Sequence, residues 1–513
     1  MITTLRHIAR LFSIAQTLRR HDALFLLEEF EASPAIAALA RPFARKQPGS
    51  ARPGERLAAA LQELGPSFIK LGQGLSVRAD LVGERIADDL SLLQDRLPPF
   101  PGADARATVE AELGKSLGTL FESFEDRPVA AASIAQVHLA VTSEGNPVAV
   151  KVLRPGIEAA FTRDLELFEW LAGIIEDKRP NLRRLKPRAV VATFHETVSL
   201  EMDMRLEAAA ASEFAQSLAD DPHVRIPGVD WQRTARRVLT LERIEGIPVD
   251  EREALVAAGH DPTAIVTHAA ASFFTQVFRN GFFHADMHPG NLFVDAEGRI
   301  IMVDFGIMGR IDRKSQHYLA EMLTGFLAGD YGAVADVHFR AGYVPMHKSR
   351  DAFMQACRAI GEPILNRPLN EISLARLLGQ LFQVTETFEM ETQPQLLLLQ
   401  KSMLLAEGVG RALNPEVNMW ALARPLVEAW MRENRGPEAR MADVARSFGE
   451  AAERIPELAR QAETVIAQLA DGGLKLHPDT VRALAAGRDG GRALKWPLWT
   501  AVVLLVLILL ALI

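Results

Sequence analysis

Three side chains stand at spacings suited to phosphoryl-transfer chemistry. In His284-Ala285-Asp286-Met287-His288-Pro289-Gly290-Asn291, Asp286 precedes Asn291 by five residues. An aspartate there can hold a hydroxyl or water for attack, and the amide can hold a magnesium ion. Thirteen residues after Asn291, an apolar run ends in Asp304-Phe305-Gly306. A carboxylate at that point can hold magnesium bridging nucleotide phosphates. Upstream, Val148-Ala149-Val150-Lys151-Val152 is an apolar strand carrying one lysine. A lysine that holds phosphates needs an acid from a neighbouring helix. Glu201-Met202-Asp203-Met204-Arg205-Leu206-Glu207 supplies acids on the next long helical stretch. A zinc site on His284 and His288 is the rival reading. Pro289-Gly290 argues against a continuous helix there, so the two rings would not share a face.

The order lysine, acidic helix, Asp286, Asn291, Asp304 is that of a protein kinase, but two features depart from it. The strand–turn–strand before Lys151 should carry a glycine-rich loop. It reads Val129-Ala130-Ala131-Ala132-Ser133-Ile134-Ala135-Gln136-Val137-His138 instead. Alanine brings its backbone less freely against phosphates than glycine does. The nucleotide cradle at Ala131, Ala132 and Ser133 should therefore hold ATP differently, or transfer slowly. In addition, Asp304-Phe305-Gly306 runs within about ten residues into a helix starting near Lys314, with no Ala-Pro-Glu segment to seat a peptide substrate.

With Lys70-Leu71-Gly72-Gln73, Leu93-Gln94-Asp95, the alanine-rich loop and Glu201-Met202-Asp203, the chain resembles the UbiB (aarF-type) family of atypical kinases along its whole length. The resemblance implies an α+β, two-lobed atypical protein-kinase-like fold with a helical N-terminal extension and a C-terminal transmembrane helix. It implies that Lys70 and Gln73 lie over the place where a kinase substrate would bind, with Glu201 and Asp203 engaging that extension. It also implies Lys151 pairing with Glu207, Asp286 as the catalytic residue, and ATP with Mg²⁺ on Asn291 and Asp304. The implied role is ubiquinone biosynthesis at the membrane, as an ATPase or a phosphotransferase to a small or lipid-associated acceptor. Partners would be membrane lipid, prenylated ubiquinone precursors and other ubiquinone-synthesis proteins, with a homodimer also open. The alternatives are a pseudokinase scaffold and a polyprenylphenol hydroxylase. The hydroxylase reading finds no dinucleotide Gly-x-Gly-x-x-Gly and no haem- or iron-ligand cluster in the sequence.

These residues need a scaffold, and the 513-residue chain is long enough for two lobes with extensions. Helical periodicity runs to Leu39, a Pro/Gly/Arg/Lys-rich linker follows at Arg41–Gly54, and Leu57–Leu97 reads as helical. Val129–Val141 and Pro147–Leu153 read as strands of a hairpin, Phe161–Ala215 as helix, Arg236–Ile244 as strand and Thr263–Asn280 as helix stopped by Gly281. Two short strands, Leu292–Val294 and Arg299–Val303, come next, then helix from Lys314 to about Leu469. The expected divisions are 1–55, amphipathic helices and linker; 56–120, helical extension; 121–245, N-lobe; 246–480, helical C-lobe; 481–496, basic linker; and 497–513, membrane anchor.

At the N-terminus, Leu5, Ile8, Leu11 and Phe12 share a helical face expected to pack on the body. At the other end, Pro497–Ile513 gives a 17-residue stretch whose Ala501–Ile513 portion has no polar side chain. That is the short limit for a spanning helix. Arg482, Arg488, Arg492 and Lys495 precede it, so the positive-inside rule places the body in the cytoplasm of a bacterial-type inner membrane. A net charge of -8 gives no basic footprint for nucleic acid. Cys357 is the only cysteine and reads as a small buried apolar side chain.

Overall fold

The computed structural model describes residues 2–23, 52–76, 83–91, 93, 97–178, 187–363 and 394–416, with shorter pieces between 383 and 430. Residues 24–51, which take in most of the expected linker, the basic segment at 481–496 and the apolar segment at 497–513 lie outside the described residues, while Pro53 and Gly54, also expected in the linker, open a helix. Among the described residues, no helix is long and apolar enough to cross a membrane.

Helix α1 (Ile2–Arg20) packs on the body, but through a different stripe from the expected one. Ile8 and Phe12 remain exposed, while His7, Ile14, Thr17 and Leu18 turn inward. Arg10 decides the rotation. Its guanidinium makes two hydrogen bonds to Asp164, at 2.8 and 3.0 Å, and sits over the Phe68 ring. A two-pronged arginine–carboxylate pair has a fixed geometry, and it orients the helix.

The stretch read as helical over Leu57–Leu97 consists, among the described residues, of α2 (Pro53–Leu64), α3 (Pro66–Ser76) and α4 (Glu84–Ser91). Gly65 adopts φ 105° and Pro66 follows it, a pair that ends one helix and starts the next. Leu57, Leu61, Phe68, Ile69 and Leu90 form the apolar core of this extension.

After α5 (Gly102–Leu113) and the short α6 (Leu117–Leu120) comes the N-lobe sheet: β1 (Phe121–Phe124), β2 (Ala130–Ala131), β3 (Ala135–Thr142) and β4 (Pro147–Leu153). The expected single strand over Val129–Val141 is thus two, folded back at 132–134. Val148, Val150 and Val152 alternate into a core with Ala105, Val109 and Leu120. Period-2 alternation therefore turns Lys151 to the opposite face.

Helix then runs as α7 (Ile157–Lys178), α8 (Pro187–Glu201) and α9 (Met204–Ser217) rather than as one element. Asp203 interrupts it by capping α9, its carboxylate accepting from the Arg205 N–H. Past β5 (Val224–Arg225), strand β6 (Val238–Glu242) pairs with β4, Leu239 opposite Lys151.

The C-lobe holds β7 (Ile247–Pro248), α10 (Arg252–Ala257), α11 (Pro262–Phe274), a π-helical turn (Thr275–Asn280), β8 (Phe282–His284), β9 (Leu292–Val294), β10 (Ile300–Met302) and β11 (Met308–Arg310). Helices α12 (Arg313–Ala328), α13 (Tyr331–Ala341), α14 (Arg350–Gly361) and α15 (Pro394–Leu413) follow. Phe214, Phe273, Phe283, Phe305 and, from α15, Leu399 and Val409 share its core. Cys357 is buried as expected.

Candidate active site

Lys151 stands on the free face of β4 and bridges two carboxylates. Its Nζ donates to both Glu207 oxygens, at 2.8 and 3.0 Å, and to Asp304 Oδ1 at 3.1 Å. Burial disfavours the charged ammonium, but the charges of Asp304 and Glu207 outweigh it and raise the lysine above its usual range. The Lys151 charge, against the opposing effect of burial, holds the Asp304 carboxyl well below the usual carboxylate range, and Lys70 adds to the pull. Burial pushes Glu207 upward, although Lys151 opposes that shift. Asp304 has φ 63°, a left-handed backbone that aspartate tolerates better than most residues. A non-glycine residue in that region marks a position the surroundings hold firmly.

A short hairpin sets the C-lobe side. Strands β9 and β10 pair with Leu292 opposite Met302, and the Val303 N–H donates to the Asn291 carbonyl at 3.0 Å. Asn291 and Asp304 thereby flank the same end of the hairpin. The Asn291 amide nitrogen donates to the Asp286 carbonyl at 3.0 Å and to its carboxylate at 3.3 Å, which leaves the amide oxygen as the donor atom for a cation.

His284 fixes the loop from within. Its Nδ1 accepts from the Asp286 N–H at 3.2 Å, so Nε2 carries the hydrogen and donates to the Val303 carbonyl at 3.1 Å. Burial lowers its pKa and keeps the ring neutral. The buried Gln276, in the π-helical turn, accepts from the His284 N–H at 3.2 Å. This histidine is a structural brace, and no zinc pair with His288 forms. The His288 Nδ1 accepts from the Gly290 N–H instead.

Two further elements close the site. Lys401 of α15 places Nζ 3.1 Å from Asp286 Oδ1. On the extension, Lys70 of α3 pairs with Glu201 Oε2 at 2.8 Å. Gln73 lies three residues on, on the same side of α3.

The sequence matches the ABC1 atypical kinase-like domain over residues 92–338 and the UbiB helical domain over residues 357–418. It is 42% identical to the probable protein kinase UbiB of Marinobacter nauticus, covering 91% of this chain and 86% of that one. It is 41% identical to the Xylella fastidiosa protein of the same name, over 85% and 81% of the two chains.

The chain belongs to the UbiB family.

The fold agrees with that placement. A solved Mycobacterium tuberculosis structure, the Rv3197–erythromycin complex, superposes with a TM-score of 0.51 at 25% identity, covering 78% of this chain and 98% of that one. The kinase-like fold is therefore shared with a solved relative.

Of the residues the UbiB resemblance singles out, the structure joins Lys151 to Glu207 and Asp304, Asp286 to Asn291, and Lys70 to Glu201. Among the described residues it does not join Asp203 to the extension. Asp203 is engaged by Arg205, whose side chain lowers its pKa, and it serves as the cap of α9.

The donor set fits a magnesium–nucleotide complex. Asp304 and Asn291 offer hard oxygen donors, and no cluster of three or more His, Cys, Asp or Glu competes for a metal among the described residues. One or two protein oxygens, with phosphate oxygens and water completing the set, is how magnesium is usually bound.

Sequence reading missed Lys401 and Arg154. The Arg154 guanidinium donates to the Ala132 and Ser133 carbonyls and to the Pro98 carbonyl, and lies over the Phe100 ring. The alanine-rich turn is therefore clamped from the end of β4. Neither residue falls in a recognisable motif. Only their position next to the loops gives them a role.

Proposed function

We propose that the protein binds Mg-ATP between β4 and the β9–β10 hairpin and turns it over slowly, as an ATPase or as a phosphotransferase to a small or lipid-associated acceptor, in support of ubiquinone biosynthesis. The observation that carries this reading is the Lys151 bridge between Glu207 and Asp304, formed across 153 residues of sequence and flanked by Asn291 and Asp286. Lys151 would hold the phosphates with Glu207 fixing it, and Asp286 would take the proton of the attacking oxygen. Asn291 and Asp304 would hold Mg²⁺, which offsets charge on the phosphates when bound. Ala131, Ala132 and Ser133, clamped by Arg154, would cover the nucleotide. Lys70 and Gln73 would crowd the acceptor side.

The UbiB relatives support the ubiquinone role. The membrane setting rests on the apolar segment at 497–513 and the basic residues before it. The testing experiment is Mg-ATP turnover by the full chain, with and without vesicles containing a phenolic ubiquinone precursor. Turnover stimulated by the vesicles is expected. A nucleotide-binding chain with no turnover in either condition would favour the pseudokinase scaffold. A flavin or iron band in its visible spectrum would revive the hydroxylase.

A further inference from the structure

As phosphorus passes from ADP to an incoming oxygen, negative charge spreads over the transferring oxygens, and cations placed there in advance account for much of the rate. The loop from His284 to Asn291 contains neither lysine nor arginine. Lys151 is held at the other end of the site by Glu207 and Asp304. The cation at Asp286 comes from elsewhere. Lys401 Nζ sits 3.1 Å from Asp286 Oδ1, on a helix 115 residues downstream.

The placement follows from how α15 packs. Leu398 and Leu405, three residues before and four after Lys401, pack against the core that also holds Met287 and Leu292 of the catalytic segment. Residues at those spacings share one helical face, so the face that docks also carries the lysine to Asp286. The pair adds little to stability. Its side chains are 33% and 31% exposed, and water screens such pairs. Folding thus gives little reason for a lysine at this position.

We propose that Lys401 is the cation of the phosphoryl-transfer step, supplied by the UbiB helical domain to a catalytic loop that has none of its own. The proposal rests on the site being an ATP-turnover site. In the step, the oxygen of water or of an acceptor hydroxyl bonds to the γ-phosphorus as the bond to the β,γ-bridging oxygen breaks. The electron pair of that bond leaves with ADP. The proton of the attacking oxygen passes to Asp286 and then to solvent. Lys401 holds the Asp286 carboxylate in place beforehand, and its ammonium offsets charge on the phosphoryl oxygens during transfer. Because the lysine arrives on α15, a shift of that helix would slow turnover while leaving nucleotide binding intact.

The test uses the full chain, with Lys401→Ala, Lys401→Arg and, as control, Lys151→Ala. Lys401→Ala is expected to lower kcat by about a hundredfold, with the nucleotide Kd changed by no more than about threefold and the unfolding midpoint unmoved. Lys401→Arg should recover most of the rate, since it restores the charge. If Lys401→Ala keeps kcat within about twofold of wild type while Lys151→Ala is inactive, the proposal is overturned and the pair is a surface contact. Equal loss of kcat and nucleotide affinity, or a lowered unfolding midpoint in both Lys401 variants, overturns it as well by showing a structural role. A wild-type chain without turnover, or turnover that survives Lys151→Ala, overturns the reading of the site itself and the role of Lys401 with it.

Discussion

Lys70 and Glu201 meet at 2.8 Å with side chains only 11% and 13% exposed, tying the N-terminal extension to the end of α8, three residues before α9 begins. The same lysine is close enough to depress the Asp304 carboxyl. The extension is therefore electrically coupled to the Asp304 end of the site. Removing one member of a largely buried pair leaves the other charge uncompensated, at a cost of about 3 kcal/mol. Glu201→Ala should lower the denaturant midpoint accordingly, and the exchange Lys70→Glu with Glu201→Lys should restore part of the loss. Strictly additive single and double effects in a mutant cycle would show that the two side chains are not coupled.

If Mg-ATP sits as proposed, Lys151→Ala and Asp304→Asn should each reduce its turnover by about a thousandfold, because each would remove charge acting on the phosphates or their metal. Steady-state phosphate release measures this. Wild-type rates in both variants would place the nucleotide elsewhere.

Ala132→Gly should tighten ATP binding or permit self-phosphorylation, since glycine frees the turn to close on phosphate. Arg154→Ala should act in the same direction by a different route, releasing the carbonyls of Ala132 and Ser133. Nucleotide affinity and phosphate incorporation are the readouts, alongside rescue of a ubiquinone-deficient strain, which should fail for Ala132→Gly. Unchanged affinity, no self-labelling and full rescue would mean that the alanines are merely tolerated.

Burial pushes the Cys357 thiol up to about 12, against 9.0 for the free group. The folded chain keeps this proton where the unfolded chain releases it. The residue's contribution to stability is thus complete below pH 9.0 and lost as pH rises towards about 12. Thiol reagents at pH 9 should label only chains that have opened, so labelling should track unfolding. Immediate labelling of native protein would contradict the burial of this helix face.

Removing residues 497–513 should release the chain from membranes without lowering its unfolding midpoint, because this segment is apolar and follows a basic, glycine-containing stretch. Sedimentation with vesicles measures the release. Complete retention of the truncated chain would shift attention to α1, whose Ile8 and Phe12 are exposed.

The order of the chemistry was legible along the chain. Asp286, Asn291 and Asp304 stand at intervals set by a tight loop and a short hairpin, and such local geometry leaves fixed spacings in sequence. The alternation of Val148, Val150 and Val152 likewise determined which face Lys151 must occupy. Periodicity also gave the type of most elements, though it ran α2 into α3 across Gly65-Pro66 and α8 into α9 across Asp203. Apolar spacing alone does not mark where a left-handed glycine or a side-chain cap interrupts a helix. Tertiary structure decided which helix stripes dock. Arg10 meeting Asp164 turned α1 so that Phe12 faces outward, and the packing of Leu398 and Leu405 brought Lys401 to Asp286. Those pairings join residues with no fixed interval between them. They arise only when whole elements pack, because a charge finds its partner through the face its helix buries.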